Sequence, residues 1–217
     1  MVITIDGHAG AGKSSAARLL AVALGFELLN TGAMYRAAAF ALGRAGVDID
    51  ADPRDVATIA ATAATWTFDL AGTRVRLAGE DLTDHIYTEA MGRGASRVGT
   101  FPEVRQRLKA EQRRLAAGRD VICEGRDQGT AVFPDAPVKF FLTATADTRA
   151  RRRAEQEGGR PADFLPSIVG RDTQDESREL DPLKQAADAV RIDNSDLTVD
   201  EVLARMLAVV ERCRSAA

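Results

Sequence analysis

Val2-Ile3-Thr4-Ile5-Asp6-Gly7-His8-Ala9-Gly10-Ala11-Gly12-Lys13-Ser14-Ser15 stands at the start of the chain, and its reading decides the fold. Gly7, Gly12, Lys13 and Ser14 satisfy the spacing G-x-x-x-x-G-K-[ST]. The apolar run before the glycines reads as a buried strand, and Ala16–Leu24 after them has a helical pattern. A chance glycine-rich turn has no reason to sit between a strand and a helix. Glycines at 7, 10 and 12 let the backbone turn tightly, so that its N–H groups, those of Ala9, Ala11 and Ser15 included, point inward at phosphate oxygens. The helix that follows adds the positive end of its dipole. Lys13 is expected to reach the β- and γ-phosphates of a nucleoside triphosphate as a surface-loop cation. The Ser14 hydroxyl is expected to ligate Mg²⁺.

Outward from this stretch, strand and helix alternate. Gly25 is placed as a C-terminal cap. Phe26–Asn30 reads as a second strand, and Gly32–Ala45 as a helix entered through Thr31 as N-cap. Val121–Cys123, Val138–Leu142 and Val190–Asp193 complete five short apolar runs, which predict a parallel sheet with helices on both faces. Thr198-Val199-Asp200-Glu201 is a capping box for a last helix with Val202, Leu203, Met206, Val209 and Val210 on its apolar face. The rhythm breaks between about 47 and 98. There Asp52-Pro53 reads as a helix start, and Trp66–Leu70 and Arg74–Leu77 alternate with period two around Ala71-Gly72-Thr73. An antiparallel insert on the edge of the main sheet is expected from this. Asp147–Glu157 is an arginine-rich helix that runs into Gly158-Gly159-Arg160-Pro161, expected to be a mobile loop before a charged helical segment.

The composition narrows the function classes. With 217 residues, 45% of them hydrophobic, the chain suits one α/β domain with an insert or a lid. A net charge of −3 argues against a general nucleic-acid binder. No apolar run approaches the roughly 20 residues of a membrane span, and charge and glycine interrupt the N-terminus where a secretory signal would be apolar. Cys123 and Cys213 form no disulfide framework or metal spacing, so a cytoplasmic location is expected.

Ligands of such a sheet sit beyond the C-terminal ends of its strands. Those ends carry Asp6-Gly7, Asn30-Thr31-Gly32, Glu124-Gly125-Arg126-Asp127, Thr143 and Asp193-Asn194. Among the basic residues only Lys13, Lys109, Lys139 and Lys184 are lysines, and the rest are arginines. Most of those arginines fit a solvated helix face. Arg36, Arg105, Arg126, Arg171 and Arg178 stand in four separate polar clusters and suit bidentate capture of a dianionic phosphate. No residue stands out as a general base. A hydroxyl acceptor would require one, whereas a phosphate monoester is already ionised, and catalysis then reduces to positioning and charge neutralisation. His8 and His85 are expected to serve neither as base nor as metal ligand.

The strings DGHAGAGKSS, NTGAMYRA, GEDLTDHI, ASRVGTFPEVRQRL, EGRDQGTAVFPDAPVKFFLTA, RARRRAEQE, RDTQDESRELDPLKQAADAV and IDNSDLTVDEV cover almost the whole length. Together they resemble the bacterial-type cytidylate (CMP) kinases, P-loop nucleoside monophosphate kinases. The resemblance implies an α/β P-loop kinase fold in which residues 47–98 form the monophosphate-binding insert and residues about 149–165 the lid. It implies transfer of the γ-phosphoryl group of ATP, with Mg²⁺, to CMP or dCMP in pyrimidine metabolism. The implied partners are small nucleotides, with no nucleic acid or membrane, and the implied state is a monomer. By motif match, Ser96, Arg105 and Asp127 would read the cytosine, and Arg36 and Arg126 would hold the monophosphate. Arg171, Asp175 and Arg178 would touch ribose and phosphates, with Thr31 supporting the acceptor. Lys13, Arg126 and Arg178 would act on the transferring phosphoryl group. Lid closure would carry Arg149–Arg153 toward the phosphates, which places Arg153 at the ATP.

The chain departs from that pattern at Asn30, where an aspartate is usual, at Tyr87, where an arginine is common, and at Gln128, which replaces an aliphatic residue. Its lid is short. A different small P-loop kinase, acting on UMP, AMP or shikimate, is the competing enzyme class, and the set Ser96, Arg105 and Asp127 separates the two. A P-loop switch or GTPase module is a further alternative, but the chain has no Asn-Lys-x-Asp string for guanine.

Overall fold

The computed structural model describes residues 1–51, 54–71 and 74–216. In chain order the elements are β1 (Val2–Gly7), α1 (Lys13–Leu24), β2 (Glu27–Asn30), α2 (Thr31–Arg44), α3 (Val56–Ala64), β3 (Phe68–Ala71), β4 (Arg74–Leu77), β5 (Glu80–Asp81), α4 (Thr83–Ile86), α5 (Glu89–Val98) and α6 (Pro102–Ala116). They continue with β6 (Val121–Glu124), a π-helical turn over Gln128–Val132, β7 (Val138–Thr143), α7 (Ala146–Glu157), α8 (Pro161–Ser177), β8 (Val190–Asp193) and α9 (Val199–Ala216). Two compact units result. The first joins Met1–Leu28 to Asp120–Ala217, and the second is Leu29–Arg119.

The first unit is built on a five-stranded parallel sheet in the order β2-β6-β1-β7-β8. β6 and β7 are buried along their whole lengths, as apolar strands covered on both faces must be. Alternation along β1 sends Ile3 and Ile5 into a core shared with Leu20 of α1, Ile122, Phe140, and Val202, Met206 and Val210 of α9. Each such side chain contributes roughly 1.5–3 kcal/mol by leaving water. Thr4 and Asp6 take the opposite face. Gly25 ends α1 in the left-handed conformation, its N–H directed at Ala21 O and Val22 O, as its placement in the sequence requires. The capping box of α9 is formed: Thr198 N donates to Glu201 Oε2 at 2.8 Å, and Glu201 N to Thr198 Oγ1 at 3.3 Å. The register pairs Ile5 with Glu124, Gly7 with Leu142 and Thr143 with Asp193, so the polar strand ends fall along one edge.

In the second unit α2 lies against α5, and α3 against α6. The hairpin expected from period-two alternation exists, with Val75 and Leu77 buried and Arg74 and Arg76 exposed. It is not an edge of the main sheet. β3, β4 and the unforeseen β5 form a separate antiparallel sheet. β3 is held by α6: buried Glu111 accepts Phe68 N at 2.9 Å, flanked by Arg107 and Arg114. α5 also escapes the sequence reading, because Gly92 and Gly94 read as breakers in isolation while contact with α2 overrides propensity. The helix start read at Asp52-Pro53 and the turn at Gly72-Thr73 lie outside the described residues; α3 is capped by Asp55, which accepts Thr58 N at 3.0 Å. Thr31 is not the N-cap of α2. That place belongs to Asn30, whose Oδ1 accepts Ala33 N at 3.0 Å, because its carboxamide oxygen reaches the third amide of the helix. Among the described residues no helix is long and apolar enough to cross a membrane.

Candidate functional site

The loop between β1 and α1 has the form its glycines require. Gly7 has φ 143°, and a Cβ there would stand 2.0 Å from Leu142 O, so β7 approaches the loop as closely as only glycine permits. Gly12, at φ 84°, caps α1 with no side-chain bond to its amides, and the helix amides face outward from this end. Lys13 is not the surface cation expected. It is 7% exposed, and its Nζ donates to His8 O at 2.7 Å, folded back over its own loop. Burial lowers its pKa well below the usual lysine value and Arg126 lowers it further, while Glu124, Asp175 and Asp6 oppose the shift. The His8 ring meets Glu176 Oε1 at 2.7 Å, and the His85 ring stacks on Phe40.

The Ser14 hydroxyl donates to Glu124 Oε2 at 2.8 Å. Glu124 ends β6 beside β1, and sequence reasoning placed it at a strand end without a role. Its signal was available: a carboxylate closing a wholly apolar strand next to the phosphate loop. Burial raises its pKa, against the pull of Lys13 and the Ser14 bond.

The loop after β6 and the end of α8 bring five of the expected acceptor residues together. Arg126 Nε donates to Asp175 Oδ2 at 2.7 Å. Asp127, 3% exposed, lies 3.9 Å from Arg178 Nη2. Arg178 is aimed by its Nε bond to Asp181 O at 2.7 Å, and Asp181 holds the left-handed conformation, φ 46°, that presents this carbonyl. Arg171 lies close enough to Asp175 to help keep that carboxyl ionised.

The arginines of α7 divide by role. Arg149 is buried and fully engaged: it donates to Ala144 O at 3.0 Å, to Ala9 O at 3.2 Å, and to both oxygens of Asp172 at 2.8 and 2.6 Å. It ties the phosphate loop to α7 and α8. Arg152 holds Asn194, whose Nδ2 donates to Ala11 O at 2.7 Å. Arg153, the residue expected at ATP, bonds Glu157 at 3.0 Å and stacks over Phe164. The segment expected to be a loop is the short link Gly158–Arg160, closed by a reciprocal bond between Arg160 and Asp163. Arg149, Arg152, Asp172 and Asn194 stand inside strings that carry the resemblance, but their pairings are not legible there, since each partner lies far away in sequence.

The second unit assembles its own group. Arg36 Nη1 donates to Ile86 O at 3.2 Å and Thr88 O at 3.0 Å, with its guanidinium over the Tyr87 ring. Burial lowers its pKa from the usual arginine value. Arg105, 3% exposed, donates to Gly99 O at 3.2 Å and faces Tyr35. Ser96 lies on α5 with Oγ 3.5 Å from Gly92 O, and Thr31 opens α2, buried. Arg36, Ser96 and Arg105 thus project from α2, α5 and α6, which contact one another through α2.

Comparison with known proteins gives the family. A family model described as Cytidylate kinase matches residues 3–212. A cytidylate kinase of Geobacter sp. (strain M21) is 45% identical over 216 residues, covering 97% of this chain and 93% of that protein. One of Rhodococcus opacus (strain B4) is 45% identical, covering 97% and 94%, and one of Pseudomonas fluorescens (strain Pf0-1) is 43% identical, covering 96% and 94%. Among solved structures, an uncharacterized protein from Eubacterium ventriosum ATCC 27560 shares the fold with a TM-score of 0.55 at 14% identity over 97% of this chain and 98% of that one. A gluconokinase from Sinorhizobium meliloti 1021 does so with a TM-score of 0.50 at 17% identity, covering 97% and 91%. With a family match along nearly its full length and relatives 43% to 45% identical at matching coverage, this chain belongs to the cytidylate kinase family.

Proposed function

We infer that this chain transfers the γ-phosphoryl group of ATP to CMP or dCMP, giving ADP and CDP or dCDP. The observation that carries the reading is the meeting, within one unit, of a phosphate loop with a carboxylate-bound serine and an arginine–aspartate cluster beside the same strand ends. The test is a panel of monophosphates offered with ATP: ADP should form rapidly with CMP and dCMP, and slowly with UMP, AMP or shikimate. Equal rates with UMP would sink the cytidine assignment.

The residues fit magnesium and ATP. Ser14 and Glu124 offer hard oxygen donors on adjacent elements, suited to an ion that arrives with phosphates. Gly7 lets the loop leave β1 in close contact with the Leu142 main chain of β7. Ser14 would hold the ion, with Glu124 fixing the hydroxyl, and the loop from Gly7 to Ser15 would cradle the phosphates. When bound, the ion supplies charge neutralisation at the β- and γ-oxygens. Lys13 would leave His8 O for the phosphates, since both are acceptors and the phosphate is charged. Arg126 and Arg178 would meet the phosphoryl group and the acceptor phosphate. No residue need remove a proton, because the acceptor oxygen is already ionised.

Asp127 would read the cytosine amine, and Arg171 and Asp175 the ribose and phosphates. The acceptor residues carried by the second unit are Arg36 for the phosphate, Ser96 and Arg105 for the base, and Thr31 in support. The hydrogen-bonded settings of half-buried Arg36 and buried Arg105 support this, since each keeps part of its guanidinium fixed by main-chain carbonyls before a ligand arrives. The lid would lie within α7 and the start of α8, about residues 149–165, with Arg153 rather than Arg149 free to turn toward ATP.

A further inference from the structure

Asp6 is 4% exposed and stands in β1 immediately before Gly7, where the phosphate loop departs. The proposed chemistry gives it no role. Both of its oxygens are engaged by main-chain donors from one loop: Gln128 N to Oδ1 at 2.9 Å and Gly129 N to Oδ2 at 2.7 Å. These amides open the π-helical turn that follows directly on Arg126 and Asp127. The turn is pressed onto the strand. A Cβ on Gly129 would stand 2.9 Å from Thr4 Oγ1, 3.2 Å from Lys139 Cδ and 3.4 Å from Asp6 Oδ2. The end of β1 therefore holds two loops at once, the phosphate loop through its main chain and the Arg126–Asp127 loop through one carboxylate.

We propose that Asp6 is a positioning residue for the acceptor nucleotide: by gripping the Gln128 and Gly129 amides it fixes the directions of Arg126 and Asp127 relative to the phosphate loop. This deepens the cytidine kinase reading and rests on Arg126 and Asp127 meeting the acceptor. A carboxylate suits the task because each oxygen accepts one amide, whereas an asparagine can accept only one and turns an NH₂ toward the other. The ionised form is held against opposition. Burial pushes the carboxyl up to about 6, the two amides restrain the rise, Asp127 adds to it and Lys13 opposes it. The Cys123 thiol and the Thr4 hydroxyl also stand at this joint, with the apolar stem of Lys139 against Gly129.

The test is Asp6→Asn, nearly isosteric, with Gly129→Ala as an independent disturbance of the same joint, each assayed with ATP and CMP varied separately. Both variants should raise KM for CMP tenfold or more while KM for ATP stays within twofold. Parallel shifts in both constants, or a lowered Tm with an unchanged KM for CMP, would overturn the proposal. Arg126→Ala and Asp127→Ala separate the two levels of inference. If they leave KM for CMP unchanged, the acceptor reading itself fails; if they raise it and Asp6→Asn does not, only the role of Asp6 falls. Should neither joint variant fold, the wild-type protein decides. Between pH 5 and 8 the Gln128 and Gly129 amide resonances and the affinity for cytidine, which carries no phosphate, should titrate together. Amides that titrate without a change in affinity would overturn it equally.

Discussion

Arg126 Nε and Asp175 Oδ2 lie 2.7 Å apart, with the carboxylate almost wholly buried. Asp175 is thus the partner of an arginine before any sugar reaches it. Burial raises its pKa, but Arg126, with Arg171 and Arg178 behind it, outweighs burial and holds the carboxyl below its usual value. A depressed folded value means the pair stabilises the protein above the unfolded carboxyl pKa, and that the gain is lost as pH falls through the lower, folded one.

Asp175→Ala should therefore release Arg126 and lower kcat/KM for both CMP and dCMP by tenfold or more. Removing one member of a buried pair leaves the other charge uncompensated, at a cost of about 3–5 kcal/mol, so Tm should fall as well. Any loss suffered by CMP beyond that of dCMP measures a contact with the 2′-hydroxyl. Unchanged turnover of dCMP would show that Arg126 does not depend on Asp175.

Lys13→Ala should abolish nearly all activity, about a hundredfold to a thousandfold in kcat, because a main cationic partner of the transferred group is gone. Its burial changes the expectation for stability. Folding takes this ammonium out of water and depresses its pKa, so the charge opposes folding at neutral pH. Tm should stay level or rise slightly despite the vacated space. Near-wild-type turnover at saturating ATP would defeat the phosphate-loop assignment, and a large fall in Tm would show that the His8 bond outweighs the burial of charge.

What was legible in the chain depended on how local the cause is. The G-x-x-x-x-G-K-S spacing, the five apolar runs, the αL glycine after α1 and the capping box of α9 are set by neighbours a few residues apart, and the structure has them where the sequence puts them. The Arg126–Asp175 and Arg149–Asp172 pairs span 49 and 23 positions. Nothing in the sequence distinguishes Arg149, held on four oxygens, from Arg151 two residues later on the exposed side of the same helix. Asp6 likewise reads as the residue before a glycine until the amides it holds, 122 and 123 positions away, are in view. α5 was hidden for the opposite reason: its local signal, two glycines, points away from the helix that tertiary contact makes.

Asp6 also makes a prediction about stability and pH. Its folded pKa of about 6 stands above the unfolded 3.8, so the folded state binds this proton more tightly. The stabilisation is complete below pH 3.8 and is lost as pH rises through 6. The shift corresponds to about 3 kcal/mol. Asp6→Asn cannot ionise, so its stability relative to wild type should improve by roughly that amount between pH 4 and pH 7. Chemical denaturation of both proteins at the two pH values measures the difference. A constant difference across the range would show that Asp6 keeps an ordinary carboxyl pKa.

Base preference should rest on Asp127. Cytosine and uracil differ at C4, where cytosine presents an amine donor and uracil a carbonyl acceptor. An ionised carboxylate only accepts hydrogen bonds, so it favours the amine and repels the carbonyl. A scaffold role, holding Arg126 in place, is the alternative. The geometry favours readout over scaffolding, because the Arg126 guanidinium is held by Asp175 at 2.7 Å, while Arg178 lies 3.9 Å from Asp127. Asp127→Asn separates the two, since an amide offers both donor and acceptor. Under base readout kcat/KM for CMP should fall, and the ratio of CMP to UMP should collapse toward one. A site built around one polar pattern rejects the mismatched base by several orders of magnitude, so the change should be large. If both substrates instead lose activity in proportion and the ratio holds, Asp127 serves the arginines alone, and the cytosine is read by Ser96 and Arg105.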